Sequence, residues 1–193
     1  MNSDYYNKNA DSYYKDTVNL NMNELYQEFT SNLCDGAKIL DAGCGSGRDT
    51  LAFLKMGYQV DAFDASFEMV KLVAKQTGLD VQQKRFEEIE SVNHYDGIWC
   101  CASLLHVPLL DLPKIMLKLA RSLKPCGIWY VSFKHGKKER EKDGRHFTDL
   151  NKQSLKQLVS QVKNVNILKM WITEDARPKR SDKWLNAILK KTE

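Results

Sequence analysis

The sequence predicts an α/β fold: a doubly wound, mostly parallel sheet of seven strands, covered by helices and closed by a terminal antiparallel β-pair. Three observations predict it. Short apolar runs alternate with helix-periodic segments along most of the chain. Glycines and capping residues separate the two kinds of segment. The last two apolar runs follow one another with only a charged loop between them. Alternation of this kind sets parallel strands side by side with helices on both faces.

The elements follow in order. Residues 20–33 (LNMNELYQEFTSNL) space Leu25, Phe29 and Leu33 by four, as on an amphipathic helix, and Asp35-Gly36 ends it. AKILDAG (37–43) is a short apolar run, read as a buried strand stopped by glycine. Arg48 to Met56 reads as a helix, with Gly57 where a C-cap glycine belongs. YQVDAF (58–63) is the second strand. Ser66 can cap a helix over 67–77, with Met69, Val70 and Val73 inward and Gly78 past its end. LDVQQKRF (79–86) is a weaker third strand and YDGIWCCAS (95–103) a strongly buried fourth. Asp111 to Leu123 is a long helix with Asp111 as its cap, Pro113 in its first turn and Pro125 beyond its end. GIWYVSF (127–133) is the fifth strand. A charged stretch runs on to Asp149, residues 151–162 form a helix, and VNILKMWIT (165–173) and KWLNAIL (183–189) are the last two strands.

Composition bounds the function. A chain of 193 residues with 42% hydrophobic and 28% charged side chains can bury a core without disulfides, and it is not a disordered segment. The five cysteines are odd in number, form no C-x-x-C, and include the adjacent pair Cys100-Cys101, which fits reduced thiols in a cytoplasmic protein. His94, His135 and His146 have no metal-ligand spacing, so no metal site is expected. The first twenty residues are too polar for a signal peptide, and the most apolar run, Gly97 to Leu110, is too short to span a bilayer. Net charge is uneven: −4 over residues 1–36, zero over 37–133 and +8 over 134–193. Such asymmetry can mark a partner or substrate surface.

The chemistry sits in ILDAGCGSGRD, Ile39 to Asp49. An apolar strand runs into a G-x-G-x-G turn, preceded by Asp41 and followed by a helix. Glycines there let the backbone approach a ligand closely. A second acid, Asp64, ends the next strand twenty-one residues after Gly43, where a carboxylate can accept both hydroxyls of a ribose. Both features lie at the carboxyl ends of neighbouring strands, so the expected ligand contains a nucleoside.

Here the sequence resembles a known family, the class I S-adenosylmethionine-dependent methyltransferases, over nearly its whole length. ILDAGCGSGRD looks like the family's first motif, YQVDAFDASFEMV its second, YDGIWCCASLLHV its fourth-strand motif, and SLKPCGIWYVSF the turn and fifth strand. Cys126 stands where the first glycine of L-x-P-G-G usually stands. FEEI and SDKWLNAIL look most similar to the small tellurite-resistance-type members. The resemblance implies a Rossmann-like methyltransferase domain over 37–193 and an N-terminal helical cover over 1–36. It implies S-adenosyl-L-methionine as cofactor and S-adenosyl-L-homocysteine as product. It also implies that Asp41, Gly43 and Gly45 surround the amino-acid end of the cofactor and that Asp64 holds the ribose. Ala65 and Met69 would line the adenine, Phe86 and Glu87 would flank its edge, Ala102 would close the site from strand four, and Tyr13 would cover it.

Other residues are candidates on position alone. His106 follows the fourth strand on the substrate side and could take a proton from the acceptor; the alternative is a satisfied helix-entry histidine. Lys134 to Arg145 (KHGKKEREKDGR) follows the fifth strand. It is either a solvated loop or a lid, in which case Lys134 and Arg145 would contact an anionic substrate. Methyl transfer from a sulfonium is an in-line displacement that needs positioning more than acid–base help. A small-molecule acceptor is expected. Methylation of RNA through the basic C-terminal region is an alternative, and a nicotinamide-dependent oxidoreductase or a non-enzymatic RNA-binding module are more distant ones.

Overall fold

The computed structural model describes residues 2–178 and 180–193. The chain opens with three short helices, α1 (Asn2–Lys8), α2 (Ala10–Thr17) and α3 (Asn23–Thr30). Then come β1 (Lys38–Ala42), α4 (Arg48–Lys55), β2 (Gln59–Asp64), α5 (Phe67–Thr77), β3 (Gln82–Gln83), β4 (Tyr95–Cys100) and α6 (Leu112–Ser122). β5 (Leu123–Lys134), β6 (Glu139–Lys142), β7 (Arg145–Thr148), α7 (Lys152–Val159), β8 (Val165–Glu174) and β9 (Lys183–Lys191) complete it.

Seven of the strands form one sheet in the order β3-β2-β1-β4-β5-β9-β8. β1 through β5 pair in parallel, while β9 runs antiparallel to both β5 and β8. The expected doubly wound sheet with its terminal antiparallel pair is therefore present. The order reverses at β1, so the carboxyl ends of β1, β2 and β4 open onto one crevice, where ligands bind in such sheets.

Alternation along β4 divides the core. Ile98 and Cys100 face a cluster with Leu104, Leu119 and Trp129, whereas Trp99 faces Phe29, Phe53 and Tyr130. Trp99 stacks on Tyr130 at 3.9 Å between ring centroids. Gly97 permits this second layer: a Cβ there would stand 2.7 Å from the Phe29 ring. The predicted helix over 20–33 is thus α3, and it packs Tyr26 and Phe29 on the sheet. Covering the crevice falls to α1 and α2, which the charged, aromatic N-terminus did not announce as helices.

Three further differences have local causes. The third strand shrinks to Gln82–Gln83 because, among residues 80–85, only Val81 is buried, leaving little apolar surface to hold a longer edge strand. Phe86–Glu88 is a single 3₁₀ turn instead. β5 starts at Leu123, and Cys126 adopts φ +62°, the left-handed conformation of the glycine it replaces. A non-glycine residue held there costs about 1–2 kcal/mol. Finally, the charged stretch after β5 is neither open loop nor free lid: β6 and β7 form a hairpin whose turn residues, Asp143 and Gly144, both have positive φ. Phe147 and Thr148 bury it against the body, and Thr148 donates to the Val107 carbonyl at 2.8 Å. No helix among the described residues is long and apolar enough to cross a membrane.

Candidate active site

The turn after β1 builds the first wall. Gly43, Gly45 and Gly47 all have positive φ, and a Cβ on Gly43 would lie 2.6 Å from that of Ser103. The Gly43 and Cys44 N–H groups both donate to the Phe63 carbonyl, which ties the turn to the end of β2. At that end Asp64 accepts the Gly45 N–H on Oδ2 at 2.9 Å and the Ser66 N–H on Oδ1 at 2.8 Å. A carboxylate has about four lone-pair sites, so roughly two remain for a ligand. Burial pushes the Asp64 pKa up, against the backbone N–H groups of Ser66, Gly45 and Ala65 that hold it down. Donors in the crevice would relieve that cost.

Two cavities meet above this turn. The first, of about 450 Å³, is bordered by Gly43, Gly45, Asp64, Ala65, Phe86 and Glu87. Tyr13 and Ala102 border it too, so eight of the ten expected cofactor residues share one space. Asp41 and Met69 lie behind its wall, both buried. Asp41 accepts the Thr50 hydroxyl at 2.5 Å, and burial with the Asp49 carboxylate nearby raises its pKa. Met69 packs in the core as the third residue of a helix capped by Ser66. The second cavity, of about 520 Å³, is bordered by Lys134 and Arg145, with Tyr5, Tyr130, Phe147 and Trp184 among its aromatic walls. Tyr6, Tyr13, Arg48, Cys101, Ala102 and His106 border both.

Two observations suit the first cavity to a nucleoside sulfonium. Asp64 offers its spare lone pairs where hydroxyl donors would bind. Ser103 Oγ is buried without a hydrogen-bond partner on the same wall. A buried hydroxyl left unpaired is costly, and a polar ligand group would satisfy it.

Arg48 reads in the sequence as a structural or solvent-facing helix residue, yet it is half-buried and faces both cavities. It grips Asp49 with Nε at 2.7 Å and Nη2 at 2.9 Å. Asp49 also accepts Tyr26 Oη at 2.5 Å and Trp99 Nε1 at 2.8 Å. Burial works against the Asp49 charge, but Arg48 and these donors outweigh it and lower the pKa.

His106 sits in a 3₁₀ turn after β4. Its Nδ1 lies 2.7 Å from the His146 carbonyl and its Nε2 2.8 Å from Tyr6 Oη. A carbonyl only accepts, so Nδ1 carries the proton and Nε2 accepts from Tyr6. Tyr6 was not a candidate from sequence. It arrives because Asn2 bonds both the His106 carbonyl and the His146 N–H, and Asn7 accepts the Ser66 hydroxyl, which pins α1 over the crevice.

Burial pushes the His106 pKa down to about 4. An unfolded histidine titrates near 6.5, so between the two values the folded chain binds fewer protons than the unfolded one. Stability is therefore expected to fall as pH drops from about 6.5 toward 4, by about 3 kcal/mol. Chemical denaturation at pH 7 and pH 4.5 would read it. His106→Gln should lose that component, and an equal pH dependence in both proteins would refute the assignment.

The expected substrate contacts are placed differently from one another. Lys134 is spent on Asp182 at 2.6 Å, at the rim of the second cavity. Arg145 stacks its guanidinium 3.8 Å from the Tyr5 ring centre.

Comparison with known proteins agrees with this geometry. Residues 39–127 match the family described as a methyltransferase domain. The ubiquinone biosynthesis O-methyltransferase of Xanthomonas oryzae pv. oryzae (strain PXO99A) is 34% identical over 121 residues, 58% of this chain and 49% of that protein. The chain thus spans about half the length of the curated relatives it matches. Among solved structures, the 1,6-didemethyltoxoflavin-N1-methyltransferase of Burkholderia thailandensis, with 1,6-didemethyltoxoflavin and S-adenosylhomocysteine bound, superposes with a TM-score of 0.80 at 23% identity. That match covers 100% of this chain and 87% of the other. An S-adenosylmethionine-dependent methyltransferase of Clostridium acetobutylicum superposes at 0.71 with 16% identity, covering 98% and 100%.

Proposed function

We propose that this chain, a class I S-adenosylmethionine-dependent methyltransferase by domain and fold, transfers the cofactor's methyl group to a small planar acceptor. The observation that carries the reading is the common wall of the two cavities. Tyr6, Tyr13, Ala102 and His106 border both, so a cofactor in one and an acceptor in the other would meet there. S-adenosylmethionine supplies a methyl group already activated by a positive sulfur. The chain's residues supply position and exclusion of water. Asp64 would accept the ribose hydroxyls, the Gly43–Gly45 turn would let the amino-acid end approach the backbone, and Ser103 Oγ would gain a partner. Tyr13 lies over Gly45, close enough that a Cβ there would be 3.3 Å from its ring. It would cover the transfer point.

The acceptor cavity favours a flat ring, because Tyr5, Tyr130, Phe147 and Trp184 line it. The named relatives accept the methyl on oxygen in one case and on nitrogen N1 of a toxoflavin precursor in the other. RNA is less favoured. Part of the charge of the basic C-terminal third is already paired: Lys134 with Asp182, Arg140 with Asp149, Lys169 with Glu28 and Arg177 with Asp175.

Incubation with methyl-labelled cofactor, a panel of phenols, catechols and fused nitrogen heterocycles, and total cell RNA would test this. Label is expected in one or more of the flat small molecules. Label in RNA alone would overturn the proposal.

A further inference from the structure

Among the described cations that border the acceptor cavity, Arg145 has a buried N–H without a partner. Arg48 is spent on Asp49, Lys134 on Asp182 and Arg177 on Asp175. Lys142 and Arg180 are exposed. Arg145 differs from all of these. Its ion pair with Asp143 is long, at 3.4 Å through Nη2, and its Nε is buried with no hydrogen-bond partner. The guanidinium plane is fixed by aromatic rings, with the Tyr5 centroid at 3.8 Å, Phe147 at 5.2 Å and Tyr6 at 5.9 Å. A buried N–H held rigidly on a cavity wall without a partner calls for an acceptor atom from the ligand.

Beside it, the Tyr6 hydroxyl commits its proton to His106 Nε2, so its oxygen is an acceptor that faces Arg145 and keeps about one lone pair for the cavity. The imidazole is in turn fixed by the His146 carbonyl. A fixed cationic donor and a proton-accepting oxygen thus stand together at the point where the two cavities meet.

We propose that the methyl acceptor is an ionisable ring hydroxyl or ring N–H, held as its conjugate anion by Arg145 and deprotonated through Tyr6 to His106. The inference rests on the methyl-transfer reading. In the step, the acceptor's X–H bond breaks and its proton goes to the Tyr6 oxygen while the Tyr6 proton passes to His106 Nε2. The pair left on X forms the new bond to the methyl carbon as the carbon–sulfur bond breaks and its electrons return to sulfur. One positive charge leaves sulfur and one appears on the imidazole, so charge balances. The charged and titratable groups that face His106 are Tyr6 from α1, Arg145 and His146 from β7, and Lys134 from β5. With the Arg145 and Lys134 cations nearby and the ring buried, imidazolium is disfavoured, so only a fairly acidic acceptor can hand its proton over. That excludes aliphatic alcohols and favours phenols, enols and lactam-like N–H groups.

The probe is 4-nitrophenol, whose neutral and anionic forms absorb differently. The intact protein is titrated with it, with and without S-adenosylhomocysteine, one pH unit below the probe's own pKa. Bound probe is expected as phenolate, its ionised-to-neutral ratio raised at least tenfold over free probe. Arg145→Gln should weaken binding at least tenfold and abolish the ionisation shift. Arg145→Lys, which keeps charge without the planar donor, should fall between, and thermal unfolding of both variants checks that they fold. Nitrogen NMR of His106 should show Nε2 protonated in the probe complex and not in that of Tyr6→Phe. Failure to bind, binding as neutral phenol, indifference to Arg145→Gln or an unprotonated Nε2 would each overturn the proposal. Absence of S-adenosylhomocysteine binding in a separate calorimetric titration would instead sink the methyl-transfer reading, while phenolate capture by the cofactor-free protein stood.

Discussion

Asp64→Ala is expected to weaken S-adenosylhomocysteine binding by more than 100-fold with little change in folding stability. The carboxylate uses one lone pair on each oxygen for the Gly45 and Ser66 N–H groups and keeps about two for the ligand. Hydrogen bonds to a charged acceptor contribute about 1.5–3 kcal/mol each, so losing two costs about 3 kcal/mol or more. The substitution also frees the Gly45 N–H and so loosens the turn that lets the backbone approach the cofactor. Folding should suffer less, because burial raises the pKa of Asp64 in the free protein and its charge is therefore a cost there until donors arrive. Asp64→Asn keeps one acceptor oxygen and should lose about tenfold, which is half of the larger effect on a free-energy scale. Isothermal calorimetry on the three proteins separates these outcomes. Equal affinity in wild type and Asp64→Ala would mean that the ribose is held elsewhere.

Asp64 was readable from sequence because its signal is local: an acid ending an apolar strand at a set distance from a glycine turn. The strand order and the crevice follow from signals of the same kind, and eight of the ten residues expected around the cofactor, several of them from the family resemblance, border one cavity. What stayed hidden depends on contacts between distant residues. Tyr6 lies in a polar, tyrosine-rich segment without an apolar stripe. It matters only because Asn2 and Asn7 fasten α1 to the His106 turn, β7 and the Ser66 cap. The β6–β7 hairpin was masked by its charges, although Asp143-Gly144 between two short runs is the usual mark of a tight hairpin turn. Once paired, that hairpin turns Arg145 from a loop charge into a stacked guanidinium facing a cavity. Asp41 and Met69 differ from the other eight: both are buried, and neither borders the cavity.

Asp49 is the deepest of the residues that sequence could not place, and its removal should have the largest effect on stability. In the sequence it is only an acid in the first turn of a helix. The fold instead brings Tyr26 from α3 and Trp99 from β4 onto the same carboxylate as Arg48. One side chain therefore satisfies donors from α3, α4 and β4. Asp49→Ala would leave a guanidinium, a phenol and an indole N–H without their acceptor inside the core. Removing one partner of a buried ion pair costs about 3–5 kcal/mol because the other charge remains. For a chain of this size that lowers the melting temperature by roughly 6–20 °C. Guanidinium-induced unfolding measures the loss, and a change under 1 kcal/mol would show that water replaces the carboxylate. The paired replacement Arg48→Met with Asp49→Leu removes both charges and should recover only the ionic part of the loss, since Tyr26 Oη and Trp99 Nε1 still lack their acceptor. It should not recover cofactor binding to the same extent. Arg48 borders both cavities, so the pair sets a cation between them as well as joining α3 and α4 to the sheet.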